Sequence, residues 1–135
     1  MIGFDTNIVL RFVLKDDPIQ TPQARALFAS LSPEEPAWVS ITTILEIVWV
    51  LTNSKNMNRE AVSQTIEELL AAEVLSVEQA NSVLWAVQHY RASKADFADC
   101  LIAASARAAG CTKTMTFDKI AARDVGMTSV GAPGV

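Results

Sequence analysis

The amino-acid sequence predicts an α/β protein in which a parallel, mostly buried sheet carries helices on both sides. Short apolar segments of strand length alternate along the chain with segments whose apolar residues recur at helical spacing. Strands that are apolar throughout are typical of parallel sheets, because helices cover both faces of such sheets. The chain has 135 residues, of which 50% are hydrophobic and 19% are charged, and this suits one domain with its own core. We therefore predict a single domain over residues 1–135.

The first part of the chain contains two predicted strand–helix repeats. The segment MIGF is a predicted strand that ends at Asp5, and TNIVLRFVL is a predicted helix that ends before Pro18. Residues 19–31 carry an apolar stripe at helical spacing. The segment AWVS is the second predicted strand, and it leads into a strongly apolar helix, ITTILEIVWVLT.

The second part of the chain continues the alternation. Asn58 is a suitable N-cap for the next helix, and the predicted strand VLSV and a helix over residues 78–90 follow. Residues 96–109 predict a further helix that Gly110 ends. The last predicted strand is TMTF, the segment DKIAAR opens a short helix, and the tail TSVGAPGV predicts no element.

Composition and charge exclude several classes of protein. The net charge of −4 argues against nonspecific nucleic-acid binding, unless several acids gather around a bound divalent cation. Cys100 and Cys111 form no metal-binding pattern, and their small apolar neighbours predict buried thiols. The chain shows no signal-peptide pattern, and its longest apolar stretch is too short to span a bilayer and contains Glu46. We expect a soluble, cytoplasmic protein without a membrane partner.

Several acids occupy equivalent places in the predicted fold. Asp5 and Asp118 each follow a predicted strand, whereas Glu46 and Asp99 each lie near the start of a predicted helix. Each could instead act structurally as a helix N-cap or within a capping box, as the pairs Thr43–Glu46 and Asp96–Asp99 suggest. A capping role is least able to explain Glu46, because its apolar neighbours predict burial of its charge.

Taken together, these acids predict a metal site. Ligands of open α/β sheets bind beyond the carboxyl ends of the strands, and carboxylates that converge there either take up protons or hold a cation. Oxygen ligands without His or Cys select Mg²⁺ or Mn²⁺, which suits phosphoryl-transfer chemistry. The single histidine, His89, stands away from these segments, so Ser–His catalysis is excluded. The chain also lacks the glycine patterns of nucleotide-binding loops.

Four segments in this order resemble the PIN-domain family, and more closely the VapC-type toxins of bacterial toxin–antitoxin pairs. They are FDTNIVLRFVLKDDP, TTILEIVWVL, DFADCLIAASARAAGC and TFDKIAAR. The resemblance runs from residue 1 to about residue 125. It implies a three-layer α/β/α sandwich and Mg²⁺- or Mn²⁺-dependent endoribonuclease activity. It also implies a homodimer and a cognate antitoxin partner that inserts a segment into the active-site groove.

The resemblance also implies the site residues. Asp99, one turn into its helix, is expected to point into the metal site, whereas Asp96 caps the helix and lines the rim. Asn7 and Thr116 match small polar residues that support the site. The acids that match the family's catalytic and metal-binding positions are Asp5, Glu46, Asp99 and Asp118, with Asp96 as an additional acid. Whether one or two ions bind, and whether Asp96 ligates a metal directly, stays open.

Some surface residues are candidates for binding RNA or a partner. Trp38, Trp49 and Trp85 could line an interface, although apolar neighbours favour core packing for Trp38 and Trp49. For the lysines and arginines, ordinary solvated surface charge is an equally good interpretation. The candidates for contacting the RNA backbone are Arg11, Lys15, Lys94, Lys113 and Lys119.

Three alternative functions stay open from the sequence. A non-catalytic PIN-like module could bind metal or RNA without turnover. A haloacid-dehalogenase-type phosphatase would need two aspartates around one residue after the first strand, but the sequence there is Asp5-Thr6-Asn7. A purely structural protein with well-capped helices would not need Glu46 inside an apolar segment.

Overall fold

The computed structural model describes residues 1–131, and the chain forms two compact units, Met1–Ala80 and a second that begins at Asn81. The first unit contains a three-stranded parallel sheet in the order β1-β2-β3. Its elements are β1 (Ile2–Phe4), α1 (Thr6–Leu14), α2 (Gln20–Ala29), β2 (Ala37–Val39), α3 (Ile41–Trp49), a π-helical turn (Val50–Ser54), α4 (Arg59–Ala71) and β3 (Leu75–Val77).

Parallel pairing determines where the helices of the first unit begin. The register pairs Ile2 with Ala37 and Ala37 with Leu75, so the three strands end at the same edge of the sheet. Because parallel neighbours need crossover connections, α1 and α2 join β1 to β2, and α3 and α4 join β2 to β3. The helices α1 and α3 therefore both begin at the carboxyl edge of the sheet.

Side chains fix the starts of α1 and α3. The Asp5 carboxylate accepts a hydrogen bond from the amide of Ile8 at 3.1 Å, and the Ser40 hydroxyl accepts one from the amide of Thr43 at 3.0 Å. Glu78, directly after β3, accepts a hydrogen bond from the amide of Ile41 at 2.8 Å. The first turn of α3 is thus tied both to its own cap and to the end of the neighbouring strand.

An aliphatic and aromatic core holds the first unit together. Phe12 stacks on Phe28 with 3.8 Å between ring centroids, and Phe4 contacts the same ring at 5.1 Å. Burial of such apolar surface is the main favourable term in folding. The fully buried aliphatic side chains are Val9, Val39, Ile44, Ile47, Leu51, Val62 and Ile66.

The second unit is mainly helical. Its elements are α5 (Ala80–Ala92), α6 (Phe97–Ala108), β4 (Met115–Thr116), α7 (Lys119–Val125) and β5 (Thr128–Ser129), with β4 and β5 paired in parallel. Tyr90 and Phe97 meet edge to face at 5.7 Å, and Val83 and Cys100 are fully buried. Gly126 ends α7 with a φ of 73°, a conformation that favours glycine.

The predicted α/β class and the parallel pairing are confirmed, and every predicted helix and strand has a counterpart. Three details differ. The helix predicted to run to Thr52 ends at Trp49 and continues as a π-helical turn, and the tail contributes the short strand β5. The Thr43–Glu46 capping box is wrong, because Ser40, three residues before Thr43, caps α3. The single domain over residues 1–135 stays a prediction.

Several predictions of burial are wrong. Trp38 is 37% exposed and Trp49 is 61% exposed, because Trp38 points to the opposite side of β2 from the buried Ala37 and Val39 and Trp49 lies outside the buried face of α3. Of the two thiols, Cys100 is buried as expected but Cys111 is exposed, beyond the end of α6. No helix within residues 1–131 is both long enough and apolar enough to cross a bilayer.

The Glu78 cap predicts a measurable contribution to stability. Glu78→Ala removes the acceptor for the Ile41 amide and should lower the free energy of unfolding by about 1 kcal/mol. Chemical denaturation monitored by circular dichroism would measure this. Glu78→Gln retains an acceptor oxygen and should lose less, while Glu73→Ala at an exposed position controls for loss of charge. Equal stability of Glu78→Ala and the unmodified chain would contradict the role of this cap.

Candidate active site

In the first unit, Glu46 is hydrogen-bonded to the residue that follows Asp5. The hydroxyl of Thr6, the residue after Asp5, donates a hydrogen bond to Oε1 of Glu46 at 2.9 Å. Asp5 and Glu46 are both exposed, so their carboxylates are accessible to a ligand. The expected burial of Glu46 is wrong, because its side chain leaves the apolar face of α3 formed by Ile44, Ile47 and Val48.

Asp5 combines a structural role with accessibility. Its Oδ1 accepts the hydrogen bond from Ile8 that caps α1. A carboxylate has two oxygens and about four lone-pair sites, so one capping bond leaves it able to ligate a cation. The capping interpretation of Asp5 is correct and does not exclude a metal-binding role.

The second unit contains Asp96, Asp99 and Asp118. Asp96 occupies the N-cap position of α6 but, within the described part of the chain, its side chain makes no capping hydrogen bond. Asp99 lies in the first turn of α6 and is half-buried. Asp118 is exposed and caps α7, where its Oδ1 accepts a hydrogen bond from the amide of Ala121 at 2.9 Å.

Electrostatics show that these three acids interact. Partial removal from water raises the pKa of Asp99, and repulsion from Asp118 and then from Asp96 adds to the same effect. Carboxylates that repel one another in this way favour either a proton or a bound cation. The arrangement can therefore supply oxygen ligands to a positively charged ion.

The two predicted supporting residues lie in different settings. Asn7 is exposed in the first turn of α1. The hydroxyl of Thr116 accepts a hydrogen bond from the amide of Asp118 at 2.9 Å, which fixes the turn between β4 and α7. Thr6 was not predicted as a supporting residue, and its position next to Asp5 was the only signal in the sequence.

The candidate RNA-contacting cations differ in their side-chain contacts and exposure. Arg11 donates hydrogen bonds to Gln20 at 2.7 Å and to Asp16 at 3.3 Å, so it holds the junction of α1 and α2. Lys113 lines a cavity of about 380 Å³ in the second unit together with Arg107, Thr112 and Thr114. The exposed lysines among the candidates are Lys15, Lys94, Lys113 and Lys119.

The donor set fits a hard divalent cation but is not a preformed cage. Within residues 1–131, no three side chains of His, Cys, Asp or Glu form a group arranged to hold a metal ion. The acids present nevertheless offer only oxygen ligands, which Mg²⁺ and Mn²⁺ prefer. Partial burial and repulsion from Asp118 and Asp96 raise the pKa of Asp99, and a bound cation would offset that repulsion.

Comparison with known proteins shows a family match and a similar curated protein. The sequence model of the PIN domain family matches residues 2–125. A VapC ribonuclease from Aquifex aeolicus (strain VF5) is 26% identical over 117 residues, which cover 85% of this chain and 85% of that protein. The family match over residues 2–125 spans all the acids that the sequence singled out.

The repulsion at Asp99 predicts that its charge destabilises the metal-free fold. Its folded-state pKa is raised, so folding favours the protonated form and stability falls as pH rises through that pKa. We expect Asp99→Asn to raise the Tm at pH 7 in EDTA by a few degrees at most. Differential scanning fluorimetry would measure this.

The pH dependence of the Asp99→Asn effect provides the control. Below the ordinary aspartate pKa of about 3.9, the carboxyl is neutral in both folded and unfolded states, so the difference in Tm should disappear. Glu68→Gln removes an exposed charge on α4 and should not reproduce the effect. A lower Tm for Asp99→Asn at pH 7 would contradict the electrostatic interpretation.

Proposed function

Because the chain belongs to the PIN domain family, we propose that it is a Mg²⁺- or Mn²⁺-dependent endoribonuclease that acts as the toxin of a toxin–antitoxin pair. The family match over residues 2–125 and the similarity to a VapC ribonuclease support this proposal. The observation that carries it is the placement of Asp96, Asp99 and Asp118 at the starts of α6 and α7, where repulsion from the other two acids helps to raise the pKa of Asp99 and so favours a cation.

The proposal gives each acid a role. Asp5, Glu46 and Asp99 hold one ion, and Asp118 helps to hold a second or orients water, while Asp96 lies at the rim. That the acids of both units serve the same reaction is part of the proposal, and the family match over residues 2–125 supports it. A bound divalent ion would supply an activated water and stabilise charge on the phosphate.

The chain's own residues prepare the reaction. The Thr6 hydroxyl holds one oxygen of Glu46, and the caps of α1 and α7 fix the backbone at Asp5 and Asp118. Hydrolysis of the phosphodiester would leave a 5′-phosphate and a 3′-hydroxyl. The exposed lysines at positions 15, 94, 113 and 119 would contact the RNA backbone, whereas Arg11 has a structural role through its bonds to Asp16 and Gln20.

The proposal includes partners and location. A cognate antitoxin would inhibit the enzyme, and the active form would be a homodimer that works on RNA in the cytoplasm. Co-purification of the chain with the product of a neighbouring gene, followed by loss of RNA cleavage, would test the antitoxin. Light scattering of the isolated chain would test the dimer.

A non-catalytic module that binds metal or RNA is the second candidate function. Its RNA-binding form needs no preformed group of three metal-binding side chains, and residues 1–131 hold none. Turnover distinguishes the two candidates, because a binding module would retain RNA without cutting it.

Removal of an acid should abolish cleavage. Purified antitoxin-free protein should cut cellular RNA into discrete fragments with Mg²⁺ or Mn²⁺ and leave it intact in EDTA. Asp5→Asn, Glu46→Gln and Asp99→Asn should each lower the rate by about a hundredfold or more, since each removes the negative charge of a proposed ligand of the catalytic ion. Gel analysis of labelled RNA measures this.

The matched control is Glu34→Gln, which removes an exposed acid from a loop and should leave the rate unchanged. Full metal-dependent cleavage by Asp5→Asn would refute the assignment. Absence of cleavage by folded, unmodified protein with either metal would favour the binding module.

Thr6 provides a test of how Glu46 is positioned. Thr6→Val keeps the shape of the side chain but removes the hydrogen bond to Glu46, and it should lower cleavage about tenfold and weaken Mn²⁺ binding, as loss of a residue that orients a ligand does. Thr6→Ser keeps the hydroxyl and should restore both. A Thr6→Val variant with unaltered Mn²⁺ affinity and rate would show that this hydrogen bond is not needed.

A further inference from the structure

Phe117 is the most exposed large apolar side chain of the described residues, with 88% of its surface accessible. It lies in the turn between β4 and α7, directly before Asp118. Folding normally removes an aromatic ring of this size from water. A ring left in solvent beside an acid of the proposed active site therefore suggests contact with a ligand.

The backbone at Phe117 is fixed on both sides. Before it, Thr116 pairs with Ser129 and accepts a hydrogen bond from the amide of Val130 at 3.0 Å. After it, the amide of Asp118 donates to the Thr116 hydroxyl at 2.9 Å, and the Asp118 carboxylate caps α7. The ring is thus presented from a rigid turn, which lowers the entropy cost of binding a partner.

The sequence around Phe117 contains two lysines and one acid, Asp118. Lys113 and Lys119 flank Phe117 and are both exposed, and Arg107 lines the same cavity as Lys113. Exposed aromatic side chains interleaved with cations are the features by which proteins bind single-stranded nucleic acid, because bases stack on the rings while cations attract the phosphates.

We infer that Phe117 binds RNA by stacking on a nucleobase next to the scissile phosphate. The inference rests on the proposed ribonuclease function and adds a substrate-binding residue to it. Consecutive Cα atoms are only about 3.8 Å apart, so a base on Phe117 holds its own or the adjacent phosphate near Asp118. Stacking requires an unpaired base, so the substrate is a single-stranded segment of RNA.

The alternative to a nucleobase is an apolar protein partner that contacts Phe117. Substitutions that keep or remove the aromatic face distinguish the two. Leu retains an apolar side chain but has no aromatic face, whereas Tyr and Trp retain the face. A protein contact would tolerate Phe117→Leu, while base stacking would tolerate only Phe117→Tyr and Phe117→Trp. Because the ring is exposed, none of these changes should lower the Tm.

Binding is measured by fluorescence anisotropy with a labelled single-stranded RNA decamer, with every variant placed in the Asp99→Asn background to prevent cleavage. We expect Phe117→Ala and Phe117→Leu to weaken binding about five- to hundredfold, the range for loss of one base–aromatic stack. Tyr and Trp should bind as the parent does. In Phe117→Trp, addition of RNA should quench the new indole emission beyond the change seen in the parent.

Cleavage kinetics give a second readout in proteins that keep Asp99. Phe117→Ala should raise KM by a similar factor and change kcat little, because the stack forms equally in the ground and transition states. Equal RNA affinity of the Ala variant and the parent, or full binding by the Leu variant, would overturn the inference.

Failure of this inference differs from failure of the proposed function. If the unmodified chain cleaves RNA with metal but Phe117→Ala has the same KM, the stacking role is refuted and the nuclease stands. If the unmodified chain cleaves no RNA but its affinity depends on an aromatic ring at position 117, the nuclease is refuted and the RNA contact stands.

Discussion

Parallel pairing of three-residue strands is the constraint on which the first unit depends. The strands β1, β2 and β3 point in one direction, so helices must return the chain after each. Strands this short contribute few ladder hydrogen bonds, and burial of Ile44, Ile47 and Ile66 supplies the cohesion instead. The same constraint begins α1 and α3 at one edge of the sheet, where Thr6 can reach Glu46.

Capping and metal binding are compatible uses of the same carboxylate. In Asp5 and in Asp118, Oδ1 of the carboxylate accepts a hydrogen bond from one backbone amide. That bond fixes the side chain and leaves further lone pairs on the carboxylate. Helix N-termini also favour negative charge. Evidence for a cap at these positions is therefore no argument against a catalytic role.

Periodicity predicted most of the fold because apolar spacing reflects burial directly, and α1 was predicted to the residue. Contacts between distant segments could not be predicted in this way. The Thr6–Glu46 and Ile41–Glu78 hydrogen bonds join residues about 40 positions apart, and nothing in the local pattern of either segment specifies its partner. The exposure of Trp49 differs from the predicted burial because side chains that are neighbours in sequence project from different sides of a helix.

Two features of the second unit carry a local energetic cost. Repulsion from its neighbours and partial burial raise the pKa of Asp99, and Phe117 keeps an aromatic ring in water. Natural sequences accept such local costs mainly where function requires them. Asp118 connects the two features, since it repels Asp99 and follows Phe117 directly. A cation near the acids and a base on the ring would relieve both costs together, so the same few residues would bind the metal and the RNA.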